Sequence, residues 1–93
     1  MLVLVFAHNE GAQTRAAVVA SKMVGNAVIR NKVKRRIKAC LDQQWKNINQ
    51  QWDLVFYARA EIVDATLIEI NLAIEHLLIK AGVLGEKNNY NAC

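Results

Sequence analysis

The sequence predicts an α+β domain, a two-layer sandwich with helices packed against one sheet. Three short apolar segments rich in Val, Leu and Phe have the length of strands, and two longer segments repeat apolar residues at helical spacing. Their order along the chain is β-β-α-β-α. None of the 93 residues is proline, so no segment is interrupted by a ring that breaks helices or strands. This length favours one core, with a single domain over residues 1–85 and a polar tail over residues 86–93.

The first two strands are predicted over residues 1–7 and 14–21. Residues 1–7 are apolar throughout, and Val18 and Val19 form the centre of the second segment. The connection between them contains glycine and asparagine and is typical of a hairpin turn. The two segments and their short connection therefore predict an antiparallel pair of neighbouring strands.

The first helix is predicted from residue 27 to about residue 44. Asn26 is a good N-cap residue. Apolar side chains recur on one face of the helix, at Ile29, Val33, Ile37, Cys40 and Leu41. The asparagine- and glutamine-rich residues 43–51 are expected to form a loop or a frayed helix end.

The third strand is predicted over residues 52–58, and the second helix begins after Thr66. Strand alternation sends Phe56 and Tyr57 to opposite faces of the sheet. Thr66 and Glu69 have the spacing of a capping box, in which each side chain accepts a hydrogen bond from the other residue's backbone amide. Gly82 is suited to end this helix in a left-handed conformation.

The net charge of +4 conceals an uneven distribution. Residues 11–41 contain no acidic residue but eight basic ones, which are Arg15, Lys22, Arg30, Lys32, Lys34, Arg35, Arg36 and Lys38. Most of them fall on the first predicted helix, beside its apolar face. Acidic residues normally stabilise the first turn of a helix, and the first turn of this helix has none. A binding site for a polyanion is therefore favoured over a merely solvated helix face.

Other classes of function receive little support from the sequence. No apolar run approaches the roughly 20 residues of a membrane helix, and no signal peptide is recognisable. Two cysteines, Cys40 and Cys93, predict free thiols in a cytoplasmic protein rather than a disulfide framework. His8 and His76 have no neighbours at zinc-binding spacing. We expect no catalytic residue and no metal ligand in this chain.

Residues 21–38 resemble the signature of the bacterial ribonuclease P protein subunit. The shared elements are Lys22, Gly25, Ala27, Val28, Arg30, Asn31, Lys34, Arg35 and a basic residue at Lys38. The resemblance continues through residues 52–59 and 75–82. It spans roughly residues 15–84, and its central motif is long enough to be specific.

The resemblance implies a protein that binds a large catalytic RNA. In the family this RNA, with magnesium ions, removes the 5′ leader from precursor tRNA, and the protein carries no chemistry of its own. The RNA-binding positions implied here are Lys22, Asn26, Arg30, Asn31, Lys32, Lys34, Arg35 and Lys38. The family has a fold of ribosomal-protein type with a left-handed β-α-β crossover around the basic helix, against the usual right-handed preference.

The chain differs from the family's pattern at its beginning. Family members open with a helix that forms one wall of a cleft for the precursor leader, whereas this sequence begins inside a predicted strand. Loss of that helix would expose the sheet and favour a homodimer or strand exchange. The expected partners are ribonuclease P RNA and precursor tRNA. The alternative is a generic structured-RNA-binding domain of ribosomal type, without a role in tRNA processing.

Overall fold

The computed structural model describes residues 1–11, 13–48 and 51–83. Its three strands are β1 (Leu2–His8), β2 (Arg15–Ala20) and β3 (Trp52–Ala58), and its helices are α1 (Ala27–Gln44) and α2 (Leu67–Ala81). Short 3-10 segments, Trp45–Asn47 and Ala60–Asp64, follow α1 and β3. The predicted element order and the α+β class are confirmed. The predicted tail over residues 86–93, which includes Cys93, lies outside the described residues.

The strands form one sheet in the order β1-β3-β2. β1 pairs with β3 in the antiparallel direction, and β2 pairs with β3 in the parallel direction. The expected hairpin of β1 and β2 is therefore wrong: the two strands run in opposite directions, but β3 lies between them. The connection over residues 9–14 is long enough to cross two strand spacings, about 9.5 Å. Turn residues alone do not show whether a later strand of the chain will lie between the two strands that they connect.

The helices cover the face of the sheet formed by alternate residues of β3. Leu54, Phe56 and Ala58 are buried there. The opposite faces of Phe56 and Tyr57 are confirmed, since Phe56 is fully buried and Tyr57 is 42% exposed. α1 and α2 supply the second layer of the core through Val33, Ile37, Cys40, Leu41, Ile70, Ile74 and Leu78.

Local capping defines both ends of α2 and the start of α1. The Asn26 side chain accepts a hydrogen bond from the backbone N–H of Ile29 at 3.0 Å. Thr66 and Glu69 form the complete capping box, and Gly82 takes a left-handed conformation with φ of 75°. All three predicted caps are confirmed.

The parallel strands β2 and β3 are neighbours connected through α1, so these elements form a β-α-β unit. The left-handedness that the family resemblance implies for this unit stays a prediction. The unit sets the position of α1 relative to the rest of the fold, because the helix must pass over the sheet between two adjacent strands. Lys38 of α1 thereby lies close to Ala16 of the edge strand β2.

Candidate nucleic-acid interface

The loop before α1 is held tightly against the helix that follows. Gly25 has a φ of 155°, and a Cβ added there would lie 2.8 Å from Cγ2 of Ile29. The backbone N–H of Gly25 donates to the carbonyl of Lys22 at 3.2 Å, which closes a turn. Lys22 itself is exposed. The turn therefore presents one lysine close to the N-terminus of α1.

Six of the eight predicted interface residues lie on the surface of α1 that the core leaves free, and Lys22 and Asn26 precede the helix. Arg30 and Lys34 are half-buried, whereas Asn31, Lys32, Arg35 and Lys38 are exposed. Asn26 is also exposed, but its side-chain oxygen already accepts the capping hydrogen bond from Ile29. Seven of the eight predicted side chains are therefore available to contact a partner, whereas the Asn26 side chain caps α1.

The positive charge of α1 is not neutralised within the described residues. The ion pairs found there join Arg15 to Asp53 and the N-terminal amine to Glu61, and neither involves α1. The first turn of α1 contains no acidic residue. Free amide groups and partial positive charge already accumulate at the N-terminus of a helix. The basic side chains add to this field, so the surface is suited to an anionic partner.

The cations extend along two flanks of α1. Arg30, Lys34 and Lys38 recur every four residues and form one row. Lys38 borders a shallow pocket that is also lined by Ala16 of β2, so this row faces the edge strand. Lys32 and Arg36 form a second row on the other flank.

Arg36 lies on the α2 side of α1, where it influences a buried thiol. Burial raises the pKa of the Cys40 thiol, and the positive charge of Arg36 opposes that rise. The Cys40 thiol donates to the carbonyl of Leu67 on α2, with a sulfur–oxygen distance of 3.6 Å. Arg36 is not among the RNA-binding positions that the family resemblance implies. Its place on the same face as Lys32, four residues earlier, could nevertheless be predicted from the sequence.

Arg15 belongs to the basic segment of the sequence but not to this surface. It projects from the open face of the sheet, which is the face opposite the two helices, and its Nε and Nη2 each donate to the Asp53 carboxylate at 3.1 Å. Asn9 donates to the same carboxylate at 2.9 Å. These hydrogen bonds, first those from Arg15 and then that from Asn9, lower the pKa of Asp53. The sequence could not show this neutralisation, because Asp53 is 38 residues away along the chain.

The open sheet face carries a groove of about 510 Å³ beside the loop that precedes α1. Val19, Met23 and Tyr57 are among its lining residues. Met23 is 86% exposed and belongs to the loop, next to Lys22. An apolar groove with an aromatic side chain therefore lies close to the basic surface of α1.

No three side chains of His, Cys, Asp or Glu lie together within residues 1–11, 13–48 and 51–83. Over the same part of the chain, no helix is long and apolar enough to span a membrane.

The fold and this surface define a small α+β domain with an uncompensated positive surface on one helix. The family model described as ribonuclease P matches residues 1–82. The ribonuclease P protein component of Clostridium novyi is 38% identical over 84 residues, which cover 89% of this chain and 74% of the relative. The component from Dehalococcoides mccartyi is 37% identical over 75 residues, which cover 81% of this chain and 61% of the relative. The chain belongs to the ribonuclease P protein family.

Solved structures agree with this assignment. The RNase P protein of Staphylococcus aureus is 32% identical and superposes with a TM-score of 0.79, covering 90% of this chain and 77% of that one. The RNase P protein of Thermotoga maritima has a TM-score of 0.77 over 85% of this chain and 76% of its own length. At 22% identity the second comparison supports the fold alone.

Proposed function

We propose that this chain binds ribonuclease P RNA through α1 and the loop before it, and so assists removal of the 5′ leader from precursor tRNA. The observation that carries the proposal is the row of unneutralised cations on α1, at the positions that match the family's signature. Arginine and lysine on a rigid helix supply phosphate contacts without ordering a loop on binding. The proposed contacts come from Lys22, Arg30, Asn31, Lys32, Lys34, Arg35 and Lys38.

The chemistry is assigned to the RNA and its magnesium ions. The chain contributes positive charge and shape, which lower the repulsion between phosphate backbones when RNA subunit and precursor come together. A cytoplasmic location is the accompanying expectation.

The open sheet face is the proposed contact for the precursor leader. Tyr57 is 42% exposed on this face, and Val19 beside it is 40% exposed. A single-stranded segment can stack its bases on an aromatic ring while its phosphates meet nearby cations. Lys22 lies in the loop that borders the groove, which places charge and aromatic surface together.

Reconstitution with ribonuclease P RNA tests the proposal. Precursor tRNA cleavage is measured at low magnesium concentration with the wild-type chain, with Lys34→Gln/Lys38→Gln and with Lys46→Gln/Lys80→Gln as a charge-matched control outside α1. We expect stimulation by the wild type and the control, and a clear loss with the α1 double variant. Binding without stimulation would favour the generic RNA-binding alternative. Cleavage without the RNA subunit would instead identify a protein-only nuclease.

The leader contact has a separate readout. Tyr57→Leu keeps an apolar side chain on the open face but removes the ring. We expect the reconstituted complex to lose affinity for precursor tRNA while its affinity for mature tRNA, which lacks the leader, stays the same. An equal loss of affinity for both RNAs would contradict the proposed leader contact. It would not bear on the proposed contacts between α1 and ribonuclease P RNA.

A further inference from the structure

The helix α2 has a second apolar face that points away from the core. Its core face carries Ile70 and Ile74, which are fully buried. Ile68, Leu72 and Ile79 are respectively 73%, 57% and 58% exposed. At about 100° per residue these three side chains fall within an arc of roughly 40°, opposite the core face. A surface helix normally presents polar residues there, so this stripe indicates a partner.

The spacing of the stripe is symmetric. Ile68, Leu72, Glu75 and Ile79 are separated by four, three and four residues, which is the spacing of a helix-packing seam. A sequence of gaps that reads the same in both directions can pair with itself around a two-fold axis. In an antiparallel arrangement, Ile68 would then lie opposite the partner's Ile79.

Charges beside the stripe favour the same arrangement. Glu69 and Lys80 are both exposed and lie on one flank of the stripe. Antiparallel pairing brings Glu69 close to the partner's Lys80, and the two-fold axis repeats this contact. A parallel pair would leave Glu69 and the partner's Lys80 about 16 Å apart along the helix axis, so this favourable contact would be lost.

We propose that the outward stripe of α2 is the docking surface for a second copy of this chain, with the two helices antiparallel. This surface is separate from the sheet face through which self-association was expected from the sequence. It does not depend on RNA binding. One helix pair buries less than the 1,200–2,000 Å² typical of stable complexes. We therefore expect weak association, with a Kd on the order of 100 µM.

Sedimentation equilibrium of the full chain without RNA tests whether α2 is the surface. Leu72→Glu is expected to weaken association at least about tenfold, because in the antiparallel pair it places a second carboxylate opposite the partner's Glu75. Val5→Glu is the matched control, since Val5 is 52% exposed on the open face of the sheet. Circular dichroism checks that both variants fold. Association lost only in Val5→Glu would move the interface to the sheet, and a wild type that stays monomeric at millimolar concentration would overturn the proposal.

Disulfide trapping tests the direction of the helices. Ile68→Cys and Ile79→Cys are made in a Cys93→Ser background, and the buried Cys40 is retained. A mixture of the two variants is expected to form the mixed disulfide, whereas each variant alone should not. In the antiparallel pair, two residues at position 68 are separated along the axis by about 16 Å. Rapid homodimer disulfides of each single variant would show parallel pairing and contradict the proposal.

Discussion

Gly25 lies directly against the side chain of Ile29, so that a Cβ at position 25 would come within 2.8 Å of Cγ2 and 2.9 Å of Cβ of that residue. These two contacts involve a branched carbon and its methyl group, which cannot swing aside as a long flexible side chain would. The loop that carries Lys22 is thereby fixed to the first turn of α1. Loop and helix form one surface because this glycine allows their close approach.

Gly25→Ala is expected to destabilise the fold by about 2–3 kcal/mol. The new methyl group overlaps Ile29, and the φ of 155° is poorly accessible to alanine. Thermal unfolding should show a fall in Tm of roughly 10–20 °C. Gly11→Ala is the control, since its φ of 77° carries a backbone cost of about 1 kcal/mol, but no atom lies within 4 Å of the added carbon. Equal losses in the two variants would contradict a steric cause.

The salt dependence of RNA binding should separate the cations of α1 from Arg15. Each phosphate contact removed, in Lys34→Gln or Lys38→Gln, is expected to reduce the slope of log K against log salt by roughly 0.7–0.9. Arg15→Gln should leave the slope unchanged, because Arg15 is held by Asp53 on the open sheet face. The measurement is a titration with ribonuclease P RNA at several salt concentrations. Equal effects of all three substitutions would mean that net charge, rather than the helix, determines binding.

The pKa of Asp53 should rise when Arg15 is replaced by glutamine. In the wild type, hydrogen bonds from Arg15 and then Asn9 hold this pKa below the ordinary value of an aspartate. A lowered pKa in the folded state stabilises the fold above the unfolded pKa, and this contribution is lost as pH falls through the folded value. Carboxyl NMR should therefore show earlier protonation in Arg15→Gln, and acid unfolding should begin at higher pH. Lys46→Gln, which removes a charge elsewhere, is expected to leave the Asp53 titration unchanged.

Thr66→Ala is expected to cost about 1 kcal/mol of unfolding free energy. The Thr66 hydroxyl accepts from the backbone N–H of Glu69 at 3.1 Å, and the Glu69 carboxylate accepts from the backbone N–H of Thr66 at 2.8 Å. Alanine removes the first of these bonds and leaves an amide of the first turn without it. Urea denaturation measures the change. Thr66→Ser keeps a hydroxyl and should retain most of the stability, so an equal loss in both variants would argue against the capping bond.

The helix ends were predictable because their signals are local. Asn26 and Thr66 cap helices through hydrogen bonds that reach only three residues along the chain. Gly82 ends α2 for the same kind of reason, since its own backbone takes the left-handed conformation. The burial of Phe56 also followed from local alternation once β3 was recognised.

The order of the strands was not predictable in this way. β1 and β2 are close in sequence, yet each pairs with β3, which comes more than thirty residues after β2. Pairing depends on contacts between strands that are distant along the chain. The same connection can join β1 and β2 either as direct neighbours or with β3 between them. Turn residues therefore could not decide between these two strand orders.

The sequence by itself determined the elements, their caps and the concentration of positive charge on one helix, because periodicity and capping act over a few residues. Only the tertiary structure decided which charges remain free. Arg15 is neutralised by Asp53 across parallel strands, whereas no described residue does the same for the cations of α1. It also decided that Tyr57 opens onto a groove and that α2 keeps an apolar stripe outside the core. These properties depend on contacts between distant parts of the chain, which no local pattern encodes.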